Sequence, residues 1–184
     1  MPKSRDRPID MTEEAKYTVM GRRDGIEFRA YDPHVLVSVT VPGSFELAPN
    51  YGFSPLVRYI SGENLAAEKI AMTAPVFHVA ESDSKHTISF VLPRDTSVAP
   101  APARAGLTTH QVPAITVAAV RFAGGWREDR VKRHETELHR ALSSMAVQES
   151  GAVMFARYDP PWKPGFLRRN EVLVPVDPAT IPQM

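Results

Sequence analysis

The feature that most constrains this chain is an internal duplication of its strands and helices. Two stretches, about residues 26–93 and 106–175, each have the pattern strand, strand, helix, strand, strand. Matching prolines support the duplication: Pro33 and Pro113 lie 80 residues apart, each in a predicted first hairpin turn, and Pro93 and Pro175 lie 82 apart, each ending a fourth strand. One unit has too small a core for secure independent stability. We therefore expect both units to join in one pseudo-symmetric α+β body.

In the first unit, valine occupies every odd position from Val35 to Val41, which is typical of a strand with one buried side. A helix is predicted over residues 47–61, with one apolar face formed by Phe53, Leu56, Val57 and Ile60. Pro55 leaves two alternatives: a short helix capped by Ser54, or a longer helix that kinks at the proline. Gly62 follows the predicted end, where glycine is favoured.

In the second unit, a helix is predicted over about residues 128–145, with an apolar stripe formed by Val131, His134, Leu138, Leu142 and Met145. The domain is predicted to span residues 16–176. Residues 1–15 are expected to be a flexible segment, residues 94–105 an exposed linker, and residues 177–184 a loose tail.

Composition excludes several classes of function. The chain has no cysteine, which excludes disulfides, thiolate metal sites and thiol nucleophiles. The net charge of +1 gives no electrostatic case for nucleic-acid binding. No signal peptide is recognisable, and no run of about 18 apolar residues predicts membrane insertion. We therefore expect a soluble, cytoplasmic protein whose protein partners cannot be read from the sequence.

Several motifs resemble the SOUL haem-binding protein family, in matching order over about residues 15–176. They are Glu-Phe-Arg-Ala-Tyr at 27–31, Tyr-Ile-Ser-Gly-Glu-Asn at 59–64, Met-Thr-Ala-Pro-Val at 72–76, Tyr-Asp-Pro-Pro-Trp-Lys-Pro at 158–164 and Arg-Arg-Asn-Glu-Val at 168–172. The resemblance implies an eight-stranded distorted antiparallel β-barrel flanked by two helices and built from two β-α-β-β repeats. It also implies non-covalent binding of haem or a related tetrapyrrole in a hydrophobic cleft, for haem buffering, transport or sensing.

The resemblance places Arg58 and Lys163 at positions associated with the haem propionates, whereas a third basic position is Asn50 here. Apolar contact with the ligand is expected from Phe53, Leu56, Val57 and Trp162. For the helix residues, packing in the core is the alternative explanation. For the cations, the alternative is a solvated surface position.

The axial iron ligand is left open. Some family members carry a histidine directly before the tyrosine of the first strand, but that position is Ala30 in this chain. His34 and His134 are the possible substitutes, and a buried, hydrogen-bonded role is the alternative for His134. The hypothesis that we carry forward is binding through apolar contact and propionate pairing, without a histidine–iron bond.

Two further functions remain open. The duplicated architecture also resembles gyrase-inhibitor-like effector domains, which suggests a module that senses small molecules or drugs. A haem-modifying enzyme that releases iron is the other, although no acid–base constellation in the sequence requires one. His134 and His139 are five residues apart and diverge around a helix, so a zincin site is not predicted.

Overall fold

The computed structural model describes residues 13–183 of the chain. The strands are β1 (Glu13–Glu14), β2 (Tyr17–Arg23), β3 (Ile26–Tyr31), β4 (His34–Pro42), β5 (Thr73–Ala74), β6 (Val76–Ser82), β7 (Lys85–Val91), β8 (Leu107–Val112), β9 (Ile115–Ala123), β10 (Met154–Arg157) and β11 (Arg169–Pro175). The helices are α1 (Ala48–Ile60) and α2 (Glu128–Ser144), with short 3-10 turns at Gly165–Leu167 and Pro178–Thr180.

Nine of the strands form one curled antiparallel sheet in the order β2-β3-β9-β11-β10-β6-β7-β4-β8. The predicted α+β class and the two helices are confirmed, but the strand count of eight is corrected to nine, in a half-barrel. The additional strand, β2, is mostly exposed, so it lacks the alternation of buried and exposed residues that reveals a strand in a sequence. β1 and β5 pair with each other in parallel, outside this sheet.

The strand order reproduces the duplication. On one side of the central β6–β10 pair lie β7, β4 and β8, and on the other lie the equivalent β11, β9 and β3. At the centre, Phe77 pairs with Ala156, and their outer neighbours are Ser89 and Glu171. Ser89 and Glu171 are 82 residues apart, the offset predicted from the prolines that end each unit.

The predicted hairpins at Pro33 and Pro113 are wrong. β3 pairs with β9 rather than β4, and β8 pairs with β4 rather than β9, so the repeats exchange their first strands. The exchange has a packing reason, because it places Ile26 and Phe28 of the first repeat in the core beneath α2. Sequence alternation identifies such strands but does not say which neighbour they pair with.

Both helices cover one face of the sheet, here named the outer face; the opposite, concave face is named the inner face. α1 packs on β4 and β7, and α2 packs on β9 and β11. α1 continues through Pro55, so the longer of the two alternatives is correct, and Gly62 follows it with a positive φ of 110°. Within the described residues, neither helix is long and apolar enough to cross a bilayer.

The two ends of the chain were predicted to be a flexible segment and a loose tail. Residues 1–12, most of the segment expected to be flexible, lie outside the described residues. After β11, the Asp177 amide donates to the Gln148 carbonyl at 2.9 Å. Ile181 lies against the core cluster beneath α2.

Candidate functional site

Apolar side chains continue from the surface of α1 onto the outer face of the sheet. Phe53 is 45% exposed and its ring lies 5.4 Å from that of Phe90. Val57, one turn further along α1, and Val76 of β6 are half-buried. We name Phe53, Val57, Phe90 and Val76 the outer strip.

Gly52 sets how closely α1 approaches the sheet beneath the outer strip. A Cβ at this position would lie 2.7 Å from Ile88 Cγ1, too close for any side chain without displacement. The helix therefore rests directly on β7, and Leu56 on the same side is completely buried in the core. Among the predicted ligand contacts, Phe53 and Val57 reach the surface, whereas Leu56 supports them from below.

One row of paired residues crosses the outer face between the two helices. Phe90 pairs with Val76, Val76 with Arg157, and Arg157 with Asn170. Because paired residues in an antiparallel sheet project from the same face, the outer strip leads directly to Arg157. The row ends at Phe122, beneath α2.

The two predicted rim cations differ in their surroundings. Arg58 is exposed at the end of α1 and its side chain makes no hydrogen bond with a described residue. Lys163 donates to Asp159 Oδ1 at 2.5 Å, so its charge is already paired within its own loop. Asn50 is exposed near the start of α1 and adds no charge there.

The loop between β10 and β11, residues 158–168, exposes aromatic and aliphatic side chains. Trp162 is 83% exposed, and Phe166 and Leu167 are also exposed. Arg168 holds the loop by donating from Nε to the Lys163 carbonyl at 2.6 Å and from Nη2 to the Pro161 carbonyl. The loop therefore presents apolar surface on a framework fixed by hydrogen bonds.

Neither of the two candidate axial histidines lies on the outer strip. His34 lines the inner face, where its Nδ1 contacts the Asp32 carbonyl at 2.9 Å and burial lowers its pKa. His134 lies on α2, stacked on Phe122 at 4.2 Å, with Nδ1 at 3.0 Å from Glu137 Oε2. Within residues 13–183, no group of three or more His, Asp or Glu side chains could hold a metal ion.

The inner face encloses a cavity of about 260 Å³. Its walls are mostly apolar, and polar groups line one side. Ser38 and Ser89 lie in this wall and bond to each other at 2.7 Å, while Thr87 donates to Glu81 at 2.9 Å. His110, which the sequence did not single out as a ligand, also lines the cavity and is exposed.

A buried ionic network, not foreseen from the sequence, lies elsewhere on the inner face. Arg29, 2% exposed, donates from Nη1 and Nη2 to the two oxygens of buried Glu171, at 2.5 and 3.1 Å. Burial alone lowers the pKa of Arg29, but the hydrogen bond and charge of Glu171 outweigh it and raise the pKa. Tyr158 and Arg169 also donate to Glu171, each at 3.0 Å. Glu171 thus accepts four hydrogen bonds, as a buried carboxylate requires.

A second buried charge lies on the outer face and has different surroundings. Arg157 Nη2 lies 3.2 Å from His78 Nδ1, and His78 Nε2 lies 3.0 Å from His86 Nδ1. Burial, with the positive charge of Arg157 adding to it, lowers the pKa of His78 to about 3, so this imidazole is neutral at pH 7. We name Arg157, His78, His86, Phe45 and Trp126 the seam cluster, because it lies between the two helices.

The proximity of His78 and His86 could be predicted only from the register of the β6–β7 hairpin. Across the β6–β7 hairpin His78 pairs with Ile88 and His86 pairs with Ala80, each two positions from the other histidine, so both histidines project to the outer face. A hairpin turn at residues 83–84 places them diagonally, but the sequence alone does not define that register.

Comparison with known proteins agrees with this architecture. The family model described as "SOUL heme-binding protein" matches residues 12–175. Heme-binding protein 1 of Xenopus laevis is 30% identical over 169 residues, which is 86% of this chain and 88% of that protein. Heme-binding protein 1 of Sus scrofa is 31% identical over 124 residues, 64% of this chain and 65% of that protein.

Solved structures share the fold at low sequence identity. The C-terminal domain of EcmrR has a TM-score of 0.66 at 13% identity, covering 88% of this chain and 98% of that one. A hydrolase from Listeria innocua has a TM-score of 0.56 at 8% identity, covering 86% and 94%. The family match spans nearly all of the folded domain, from β1 to the end of β11. This chain therefore belongs to the SOUL haem-binding protein family.

Proposed function

We propose that this protein binds haem or a related tetrapyrrole, non-covalently, on its outer face. Family membership and the two relatives named heme-binding protein 1 support the ligand class. The observation that supports this position for the ligand is the outer strip, where Phe53 is partly exposed above the buried ring of Phe90. We propose that the domain, residues 16–176, serves haem buffering, transport or sensing in the cytoplasm.

The shape of the ligand favours the outer face over the inner cavity. Drug-sized ligands occupy pockets of roughly 300–1,000 Å³. The inner cavity of about 260 Å³ is smaller than this range, and a tetrapyrrole is larger than a drug-sized molecule. Phe53 of the outer strip is 45% exposed, so a flat ring can lie against it with one edge in water. Each 100 Å² of apolar surface covered in this way contributes about 2.5 kcal/mol before the costs of association.

The charged rim of this site is proposed to include Arg58 and Lys163. Arg58 follows Val57 of the outer strip and is free of other partners among the described residues. Lys163 must share its charge with Asp159, so it contributes less. Trp162 in the same loop is available to cover the ring.

The experiment is a titration of the purified protein with hemin, followed by the Soret band. A saturable shift at one equivalent supports the proposal, and no shift in the protein compared with buffer contradicts it. Replacement of Arg58 by Ala should weaken binding by roughly 1–3 kcal/mol if a charge-assisted hydrogen bond is lost, and replacement of Lys163 by Ala should weaken it less. Steady loss of the porphyrin band with turnover would instead indicate a haem-modifying enzyme.

The iron is proposed to lack a strong histidine bond from the protein. Ala30 has no donor atom, and His34 and His134 are both engaged away from the outer strip. We therefore expect a high-spin or weakly ligated ferric spectrum. A low-spin, six-coordinate spectrum that is lost in His34→Ala or His134→Ala would contradict this and identify the ligand.

A second candidate function is the sensing of a smaller molecule in the inner cavity. The cavity itself favours it, because apolar walls, hydroxyl groups and the Glu81 carboxylate converge there. The solved structure of SAV2435 bound to tetraphenylphosphonium has a similar topology, with a TM-score of 0.50 at 10% identity, covering 84% of this chain and 94% of that one. A titration with tetraphenylphosphonium, monitored by thermal stabilisation and repeated with Glu81→Gln, tests this candidate. Equal melting temperatures with and without the cation would argue against it.

A further inference from the structure

Arg157 is a buried cation with no acidic partner in the part of the chain that the structure describes. The side chain is 7% exposed, and no carboxylate of the described residues lies within ion-pairing distance. Nη2 contacts neutral His78. Nε is buried, and neither Nε nor Nη1 makes a hydrogen bond with a described residue. Burial lowers the pKa of Arg157 to about 9, so the guanidinium is charged at neutral pH.

The aromatic groups around Arg157 hold it in place without neutralising it. Its Cζ lies 4.9 Å from the centroid of Trp126 and 5.0 Å from that of Phe155. Trp126 is fixed in turn, because its Nε1 donates to Asn170 Oδ1 at 2.8 Å. Cation–π contacts stabilise a guanidinium but leave its charge and donors available.

A second guanidinium shares the same indole. Arg168 Cζ lies 4.5 Å from the Trp126 centroid, and the hydrogen bonds of Arg168 go to backbone carbonyls. No carboxylate of the described residues pairs with Arg168 either. The two positive charges beside Trp126 are thus not ion-paired with any described carboxylate, an arrangement that an anion would stabilise.

The position of this pair relates it to the outer strip. Arg157 pairs with Val76, which pairs with Phe90 beneath Phe53. Adjacent strands are about 4.8 Å apart, so Arg157 lies about 10 Å across the sheet from Phe90. Val76, the residue of the outer strip on β6, is thus directly paired with Arg157 on the next strand.

We propose that Arg157 and Arg168 form an anion site that receives a carboxylate of the ligand, namely a propionate of the tetrapyrrole. A buried charge without a partner is costly, and a guanidinium recognises a carboxylate through two parallel hydrogen bonds. The inference rests on the proposed tetrapyrrole function. It assigns the pairing with the propionate to these two arginines, because Lys163 is already paired with Asp159. A free carboxylate or an inorganic oxyanion shares the same chemistry.

The test compares protoporphyrin IX with its dimethyl ester, in which both propionates are neutral. Binding is followed by porphyrin fluorescence for the wild type, Arg157→Met, Arg168→Gln and the exposed control Arg121→Gln. We expect Arg157→Met to weaken binding of the free acid by about tenfold or more and to leave the ester within about twofold of wild type. Arg168→Gln should show the same selectivity with a smaller effect, and the control should show none.

The outcomes separate this inference from the proposed function. Equal losses for acid and ester in Arg157→Met, or no loss for either in both variants, would overturn the anion site. Circular dichroism checks the fold, and Arg168→Gln decides the question if Arg157→Met is misfolded. If the wild type binds neither porphyrin, the proposed function fails. The anion site is then tested by thermal melting in sodium benzoate or sodium sulfate against chloride at equal ionic strength. Stabilisation of the wild type but not of Arg157→Met would support a site for free anions, and equal melting would refute it.

Discussion

Two buried arginines lie on opposite faces of the same sheet and have opposite electrostatic surroundings. Arg29, on the inner face, has two carboxylate partners, Glu171 and Glu27. Arg157, on the outer face, has aromatic rings and a neutral histidine. The pKa of Arg29 is raised and that of Arg157 is lowered, although both side chains are almost completely buried.

The difference indicates different roles for the two charges. No buried side-chain nitrogen or oxygen of Arg29 or Glu171 lacks a hydrogen-bond partner, so this ion pair belongs to the architecture of the inner face. Arg157 Nε has no hydrogen-bond partner among residues 13–183, so this part of the chain carries an electrostatic cost that its own residues do not offset. The pseudo-symmetry of the fold does not impose this difference. The residue equivalent to Glu171 in the first repeat is Ser89. The Ser89 side chain hydrogen-bonds to a serine instead of to an arginine.

The largest effect is expected for the network on the inner face. Replacement of Arg29 by Met should destabilise the protein by about 3–5 kcal/mol, because it leaves the Glu171 carboxylate buried without its main partner. The measurement is urea unfolding at pH 7, with the exposed Arg22→Met as the matched control, since Arg22 also contacts Glu27. A loss no larger than that of the control would show that the ionic network is not a structural element.

An intermediate effect is expected from His78 on acidification. Its pKa in the folded protein is about 3, below the ordinary 6.5, so the unfolded chain binds more protons between these values. The stabilisation from neutral His78 is complete above pH 6.5 and is lost as the pH falls toward 3. At pH 5 this loss amounts to about 2 kcal/mol. Urea unfolding at pH 7 and pH 5 should show this loss in the wild type and in the exposed control His110→Gln.

The same comparison in His78→Gln should show a loss smaller by about 2 kcal/mol, because glutamine does not titrate. An unchanged pH dependence in His78→Gln would mean that folding does not lower the pKa of His78, so that the histidine is protonated in the folded protein at pH 5. The seam cluster would then hold two positive charges rather than one at that pH. Its electrostatic difference from the Arg29 network on the inner face would be larger.

The smallest effect is expected for the unpaired arginine. Replacement of Arg157 by Met should change the free energy of unfolding by no more than about 1 kcal/mol, because the lost hydrogen bond to His78 is offset by relief of a buried charge. Urea unfolding without ligand, run beside Arg29→Met, measures this directly. A loss as large as that of Arg29→Met would remove the distinction between the two arginines.

Much of this fold could be predicted from residue patterns. Alternating valines define β4, and the apolar spacing defines both helices, because these patterns follow directly from side-chain periodicity. β2 escaped detection because its exposed residues leave no such pattern. The strand exchange between the repeats escaped it because a strand's pattern does not name its partner.

The candidate site was predictable only in part. Phe53 and Arg58 could be located from the helix and the family motifs, and both are exposed in the structure. Arg157 could not be singled out, because its isolation from carboxylates depends on the register of β6, β10 and β11. Lys163 could be located, but its bond to Asp159 depends on the conformation of the loop.

The most direct test of the account compares hemin binding by two variants, one on each face. Phe53→Asp places a charge on the outer strip, and Thr108→Trp fills the mouth of the inner cavity from an exposed position on β8. Soret titrations should show affinity reduced by about tenfold or more in Phe53→Asp, from lost apolar contact, and unchanged in Thr108→Trp. Full affinity in Phe53→Asp with loss of binding in Thr108→Trp would place the ligand on the inner face and contradict the account.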